Sequence, residues 1–586
     1  MILCGTKDLS ERTKQIRVYL FLILLIAAGL RLWGLDWGLP YEYQSEEYKV
    51  VKYALRMGGG DLNPHFFEYP SLYLYFMLFL FGLYYLFGSW IGLFSGTHEF
   101  ALSFIKDPTP FYLIGRVSEA ICGAAIVYLV YKIGKRLFSE NVGLCSALIF
   151  AALPNFVYLS HIIKGPMGMT LLLLIFFWHC ISIAEKESPR SYIMAGILLG
   201  LATSTRYHAA PFGIVLPLVH FYRLYLASDT QERKEKSFWD QHKLFLLALI
   251  LIPIFFILTT PYSVLTPKEF WKDLGSNISV YYINEKEATY LTRIGIVLWR
   301  FLHLGDIPAS LLLGGLCGLG FLYSMVRWEK KHLLTVVPIV TYFLIVSGYE
   351  NPAAGYLLHV LPLFVIWGIH GLFTFSKEMS PGFWQGKTLK PAVILGLSVA
   401  IVWNFWEGSA LAYSFTLPDT RTLAKNWIEK NIPQGSHILI DMKTYSPPLL
   451  MSYEQAERFS NRAADLNHYK KEYLKLQLET HPGKGNGYKI YTVLRGFQEI
   501  GSLPHQVEEV QKMQDLVQVN EDISKLKEMG IQYVIVSEDV EKGAIRNNLP
   551  GLADFYRNLP SKAVLIQSFA PKFRVTHCGR ISIYRL

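Results

Sequence analysis

Hydrophobic and polar positions follow two different rhythms along this chain. Over the first four hundred residues, apolar runs of spanning length recur, from IRVYLFLILLIAAGLRLWGL near the start to PAVILGLSVAIVWNFW near residue 400. Each is close to the roughly 20 residues that cross about 30 Å of hydrocarbon, so each predicts a membrane helix. From Leu417 onward the long runs stop. DTRTLAKNWIEKNIPQGSHILID reads as an amphipathic helix, a turn at Pro433 and Gly435, and a short buried strand. The same grammar repeats where SKLKEMG leads into IQYVIVS and GLADFYRNLPS into AVLIQSFA, with YKIYTVL and RISIYRL as further strands. The pattern predicts a polytopic α-helical membrane protein of about 11–13 membrane segments, followed by a C-terminal α/β domain of about four or five strands. The predicted boundaries are a cytoplasmic N-terminus over 1–15, a membrane domain over 16–412 with an outer loop at 36–69, and an extracytoplasmic α/β domain over 413–586.

Composition agrees with this class: 52% of the 586 residues are hydrophobic and only 17% charged, more apolar than a soluble protein needs to be. The first apolar run is long and lacks a small-residue cleavage site after it, so it reads as a retained helix. A net charge of +10 does not imply nucleic acid, because many of the Lys and Arg residues fall in short loops such as KIGKRLF, RWEKKH and FSKEM. That is the positive-inside pattern of cytoplasmic loops in a multi-pass protein; a plasma membrane is the expected location, and the outer face would be a periplasm, a cell exterior or an organelle lumen. Placing Lys7, Arg12, Lys14 and Arg17 inside leaves the loop at Glu46 and the chain after residue 413 outside. Parity then asks two of about thirteen apolar segments, 70 to 94 and 291 to 305, to re-enter on one side or lie in the interface. Of six cysteines only Cys578 lies in the α/β domain, so that domain has no internal disulfide. No CxxC pair, P-loop, GxGxxG, HExxH or GxSxG motif occurs, which removes sequence support for nucleotide hydrolysis, zinc proteolysis and serine hydrolysis.

The candidate chemistry starts at Glu46 and Glu47, adjacent carboxylates between apolar segments. Ionisable groups at a membrane boundary are costly and tend to sit in aqueous cavities where chemistry or transport occurs, although an ordinary solvated pair fits the sequence as well. Lys164, Arg206, His161, His208 and His359 lie at or near the outer ends of apolar segments. The cations suit a phosphate headgroup and equally suit snorkelling to the interface, and the histidines suit hydrogen bonds at helix ends. The triple glycine at 58 to 60 ends the helix begun at Glu46 and carries no chemistry.

GDLNPHFFEYPSLYLY, GRVSEAICGAAIVYLVYKIGKRLF, LPNFVYLSHIIK, GLATSTRYHAA and YLLHVLPLF, in this order after an outward acidic pair, resemble the C-type superfamily of polyprenyl-phosphate-dependent glycosyltransferases. The branch is the one that includes protein O-mannosyltransferases and the lipid A aminoarabinose transferase, and the resemblance covers residues 16 to about 410. It implies a membrane glycosyltransferase that moves a sugar from a polyprenyl-phosphate donor to a lipid, glycan or protein acceptor on the outer face. It implies Glu46 as catalytic base with Glu47 assisting, and Lys164, Arg206, His161, His359 and Tyr356 as contacts of the donor. It requires no nucleotide; a divalent metal is allowed, with no residues assigned to it. The chain departs from the pattern in three places: Glu46 where an Asp is usual, Pro166 where a second outer acid is usual, and Gly355 where a basic residue precedes Tyr356. Glu68, Asp306 or Glu350 are candidates to replace the missing acid in space. The segment 263 to 290 reads as a mobile lid. The loss at Pro166 keeps open a catalytically degenerate glycolipid-binding relative; a transporter or flippase of a lipid-linked substrate would use the same cavity, though no convincing internal repeat supports it.

Overall fold

The computed structural model describes residues 2–226, 237–282, 289–304, 311–327, 332–349, 354–378, 389–462, 468–494, 514–572 and 578–586. They form two compact units, one of residues 1–35, 50–80 and 114–413, the other of 36–49, 81–113 and 414–586.

The first unit is helical. Among the described residues of the chain, six helices are long and apolar enough to cross a membrane: Glu11–Leu32, Leu72–Trp90, Thr109–Leu137, Pro166–Glu185, Phe238–Thr259 and Pro391–Ser414. Glu140–Ala152, Leu311–Val326 and Leu333–Ser347 are apolar but shorter. At a rise of 1.5 Å per residue such helices reach only about 20–24 Å, which is why fewer segments qualify alone than the apolar runs suggest. Within the two runs expected to re-enter or lie in the interface, Leu72–Trp90 is one continuous helix and Tyr290–Leu302 a shorter one. Leu249, Ile250, Ile254, Ile257 and Leu258 of Phe238–Thr259 are exposed, an apolar outer face suited to lipid. Leu361–Glu378 is buried over most of its length and behaves as a core helix. Small residues let it come close to Leu311–Val326: a Cβ on Gly371 would stand 1.8 Å from the Gly320 carbonyl oxygen, the close packing that glycine permits between membrane helices.

Charge inside this unit is met by backbone. Arg31 is fully buried and donates Nη1 to the carbonyls of Ala27 (2.9 Å) and Ala151 (2.8 Å) and Nη2 to that of Phe150 (3.0 Å). Two of these acceptors are the orphan carbonyls at the end of Glu140–Ala152, where a helix favours a cation.

The second unit carries a six-stranded sheet in the order β3-β2-β1-β4-β6-β5. Its strands are β1 (His437–Ile440), β2 (Lys489–Val493), β3 (Asp515–Val517), β4 (Tyr533–Ser537), β5 (Val564–Phe569) and β6 (Ile581–Arg585). The first four are parallel, and β6 runs antiparallel to both β4 and β5. Alternation along β1 sends Ile438 and Ile440 to one face, with Ala424 and Ile428 of the helix Thr420–Asn431. It sends Leu439 to the other, with Val534, Phe555 and Leu559. The predicted strands all form; the sixth, β3, is three residues long and has too little sequence to show a period.

Candidate active site

The phosphate-binding candidates sit on a turn built by two prolines. Pro154 and Pro166 each open a helix, Pro154–Leu159 and Pro166–Glu185, at a position where the missing N–H costs nothing. Residues 160–165 link them. Gly165 closes the link with φ 92°, a left-handed conformation suited to glycine, and a Cβ there would stand 3.3 Å from the Tyr73 ring. The Lys164–Gly165 peptide is gripped at both ends. Arg206, just past the end of Pro189–Thr205, donates Nε (3.0 Å) and Nη2 (2.5 Å) to the Lys164 carbonyl, while the Gly165 N–H donates to Glu119 Oε1 at 3.0 Å. The Arg206 guanidinium also lies over the Tyr69 ring at 4.3 Å. Arg206 is therefore tied to the main chain of Lys164, and both half-buried cations stand close enough to His208 to add to burial in lowering its pKa; two cations near one group can hold a phosphate.

His161 braces this turn from behind. It is buried, with Nδ1 2.7 Å from the Val157 carbonyl and Nε2 3.0 Å from that of Trp33. Burial pushes its pKa down to about 4, with Arg116 and Arg31 adding to the effect, so the ring is neutral at pH 7 and donates to one carbonyl only. His208 stacks on Tyr356 with ring centroids 4.7 Å apart, and Tyr342 Oη donates to its carbonyl. The His359 ring is buried 4.2 Å from the Tyr342 ring. The structure thus brings Lys164 and Arg206 into one cluster and pairs His208 with Tyr356, while Gly355 is exposed.

Glu46 and Glu47 belong to the second unit. They stand in the first turn of the helix Ser45–Met57, where the helix dipole favours carboxylates. Neighbours on a helix point about 100° apart, and here Glu46 is half-buried while Glu47 is 1% exposed. The loop before them is tied down inside the same unit: Tyr112 Oη donates to Glu42 Oε1 at 3.1 Å, and Trp37 packs on Tyr43 and Phe415.

Pro166 is buried in the first turn of its helix. The carboxylate that reaches this turn is Glu119, from within Thr109–Leu137, a residue not singled out by its sequence context. It is buried, with the Tyr73 hydroxyl and the Met167 N–H also beside its carboxyl. Of the proposed substitutes for the missing acid, Glu68 is half-buried and its carbonyl accepts Asn277 Nδ2 at 2.8 Å; Asp306 and Glu350 lie outside the described residues. Among the described residues no three His, Cys, Asp or Glu side chains converge as a metal set, so no step is assigned to a metal.

The described part of segment 263 to 290 contains the helix Pro267–Tyr282, where a loose loop was expected. Residues 63–68 hold it. His65 stands between Asp61 (Nε2, 3.0 Å) and Glu269 (Nδ1, 2.9 Å), and Asp273 Oδ2 accepts the Phe67 N–H at 3.0 Å. The Asn63 N–H keeps the Asp61 carboxyl below its usual range, and burial raises that of Asp273.

Apolar helices of spanning length and a six-stranded sheet among the described residues give this membrane protein the fold of the C-type glycosyltransferases. Within it, residues 113–257 match the family profile described as dolichyl-phosphate-mannose-protein mannosyltransferase, a stretch that includes Glu119, His161, Lys164 and Arg206. The crystal structure of ArnT from Cupriavidus metallidurans in the apo state is similar over 98% of both chains, with 12% identity and a TM-score of 0.50. That of the Archaeoglobus fulgidus oligosaccharyltransferase in complex with zinc and sulfate is similar over 92% of this chain and 70% of that one, with 14% identity and a TM-score of 0.49. No curated protein matches the chain by sequence. The resemblance to the C-type superfamily read from the sequence holds.

Proposed function

We propose that this protein transfers a sugar from a polyprenyl-phosphate donor to an acceptor hydroxyl or amine at the outer face of the membrane. The observation that carries the reading is the Lys164–Arg206 pair, fixed on a doubly gripped turn inside the stretch that matches the mannosyltransferase profile. In this scheme the acceptor heteroatom attacks the anomeric carbon as the bond from that carbon to the phosphate oxygen breaks. Glu46 takes the acceptor's proton. Lys164 and Arg206 stabilise the charge that returns to the phosphate as polyprenyl phosphate leaves. Glu47 assists by fixing the first turn of its helix, and the rings of His208, Tyr356 and His359 border the donor. Extracytoplasmic placement of the α/β domain follows from the loop charges and belongs to the same proposal.

The test is transfer from a panel of polyprenyl-phosphate sugars to a crude membrane acceptor extract, by protein reconstituted in lipid, with wild type compared against Glu46→Gln. Turnover that disappears in the variant supports the reading. Turnover at the wild-type rate in a well-folded variant would falsify the role of Glu46. Lipid binding without turnover of any donor by the wild type would make the protein a degenerate binding relative, the outcome to which Pro166 points.

A further inference from the structure

We infer that Arg421, with Asp419 and Thr422, acts as a positioning residue: from the start of the helix Thr420–Asn431 it clasps Tyr43 and so sets where Glu46 and Glu47 stand. The inference rests on the transferase reading of that acidic pair. All of these residues belong to the second unit.

The clasp has several contacts on one side chain. The Arg421 guanidinium lies over the Tyr43 ring at 3.8 Å, and its Nη1 donates to the Tyr43 carbonyl at 3.3 Å. Thr422 Oγ1 and Tyr43 Oη share a hydrogen bond of 2.7 Å. One turn further on, Lys425 stands 5.4 Å from the Tyr41 ring centroid, and the Tyr112 bond holds Glu42 between them. Residues 41, 42 and 43 are thus each fixed by a side chain from a distant segment. Only Gln44 separates them from the helix whose first turn carries both carboxylates.

Arg421 is itself held rigidly. Its Nε and Nη2 donate to the two oxygens of Asp419 at 2.8 and 2.9 Å, and Nη1 also reaches the Thr444 carbonyl at 2.5 Å. The arginine is 4% exposed and Asp419 1%. A buried ion pair is a poor way to stabilise a core, since apolar residues of similar volume commonly do as well. A planar fork that binds a carboxylate with one edge while stacking its face on a ring is, however, a good way to fix geometry. A working carboxylate has to be held to within about 0.5 Å of its productive place.

Arg421→Lys keeps the charge and loses the fork, Tyr43→Phe keeps the ring and loses the Thr422 bond, and Thr422→Val is the mildest change. In the full chain in lipid, we would measure steady-state transfer from a polyprenyl-phosphate sugar and hydrogen exchange of the amides in 41–49, β1 and β4. Arg421→Lys is expected to lower kcat by about tenfold with the donor KM within about twofold. Exchange in 41–49 is expected to rise about tenfold while β1 and β4 stay protected; Tyr43→Phe and Thr422→Val move the same readouts less. Unchanged exchange in 41–49 overturns the clasp, and so does a rise spread equally over β1 and β4, which would make Arg421 an ordinary part of the domain core. A wild type that turns over no donor removes the transferase reading, and the exchange measurement still decides the clasp.

Discussion

The turn that presents Lys164 and the helix start that presents Glu46 are held in opposite ways. Lys164 is fixed by neighbours in its own membrane unit: Arg206 takes its carbonyl, Glu119 takes the next N–H, and His161 braces the loop against Trp33. Glu46 depends on residues at Tyr41 to Tyr43, and those are gripped from about 380 residues further along the chain, by Arg421 and Thr422. Both sides rest on tertiary contacts, but those of the cation side join residues 42 to 128 positions apart within the helical unit, and those of the acid side span 378 and 379 positions. Small errors in the first stay where they are made, whereas an error in the α/β domain reaches the carboxylates.

Four substitutions sharpen that contrast, from the largest effect downward. Glu46→Gln should lower the transfer rate by about a thousandfold, the range of a general base, with the unfolding midpoint unchanged; a large shift in stability instead would give Glu46 a structural task like that of Glu119. His161 tests the local brace through pH. Its pKa is about 4 when folded, against 6.5 as a free side chain, so the unfolded chain binds the proton first. The stability this provides is complete above pH 6.5 and is lost as pH falls towards 4, by roughly 3 kcal/mol. Thermal unfolding across that window should show the slope in wild type and a flatter profile in His161→Gln. Arg206→Met should cost roughly 2 kcal/mol of transition-state stabilisation, read as a fall of about thirtyfold in kcat/KM. Smallest of all, His65→Ala should change stability by less than about 1 kcal/mol, because its contacts to Asp61 and Glu269 are largely exposed; faster exchange confined to 61–69 would be its only clear signature.

The same contrast explains what could be read from the sequence. Membrane helices, the strands IQYVIVS and RISIYRL, and the turn in LSHIIKGP are local: period, length and proline position specify them. The acidic pair stood out as candidate chemistry because two carboxylates between apolar runs are unusual there. What set its geometry was not, because nothing in YEYQSEEY points to TRTLAK. Glu119 escaped for a related reason. A single acid inside GRVSEAICG gains meaning only when Gly165, from another helix, turns its N–H towards it. The helix within 263 to 290 was not legible, because the residues that hold it, His65 and Phe67, lie 204 and 206 positions before their partners.

The order of the sheet carries a consequence for biosynthesis. Among the described residues strand β5 pairs with β6 alone, which follows it in the chain and lies between it and β4. As the polypeptide emerges, β5 therefore appears before the strand that can receive it, and its Val564 and Leu565 are both exposed. Until residues 581–585 arrive, one edge of β4 and both edges of β5 stay open to whatever chaperone or neighbouring chain is near.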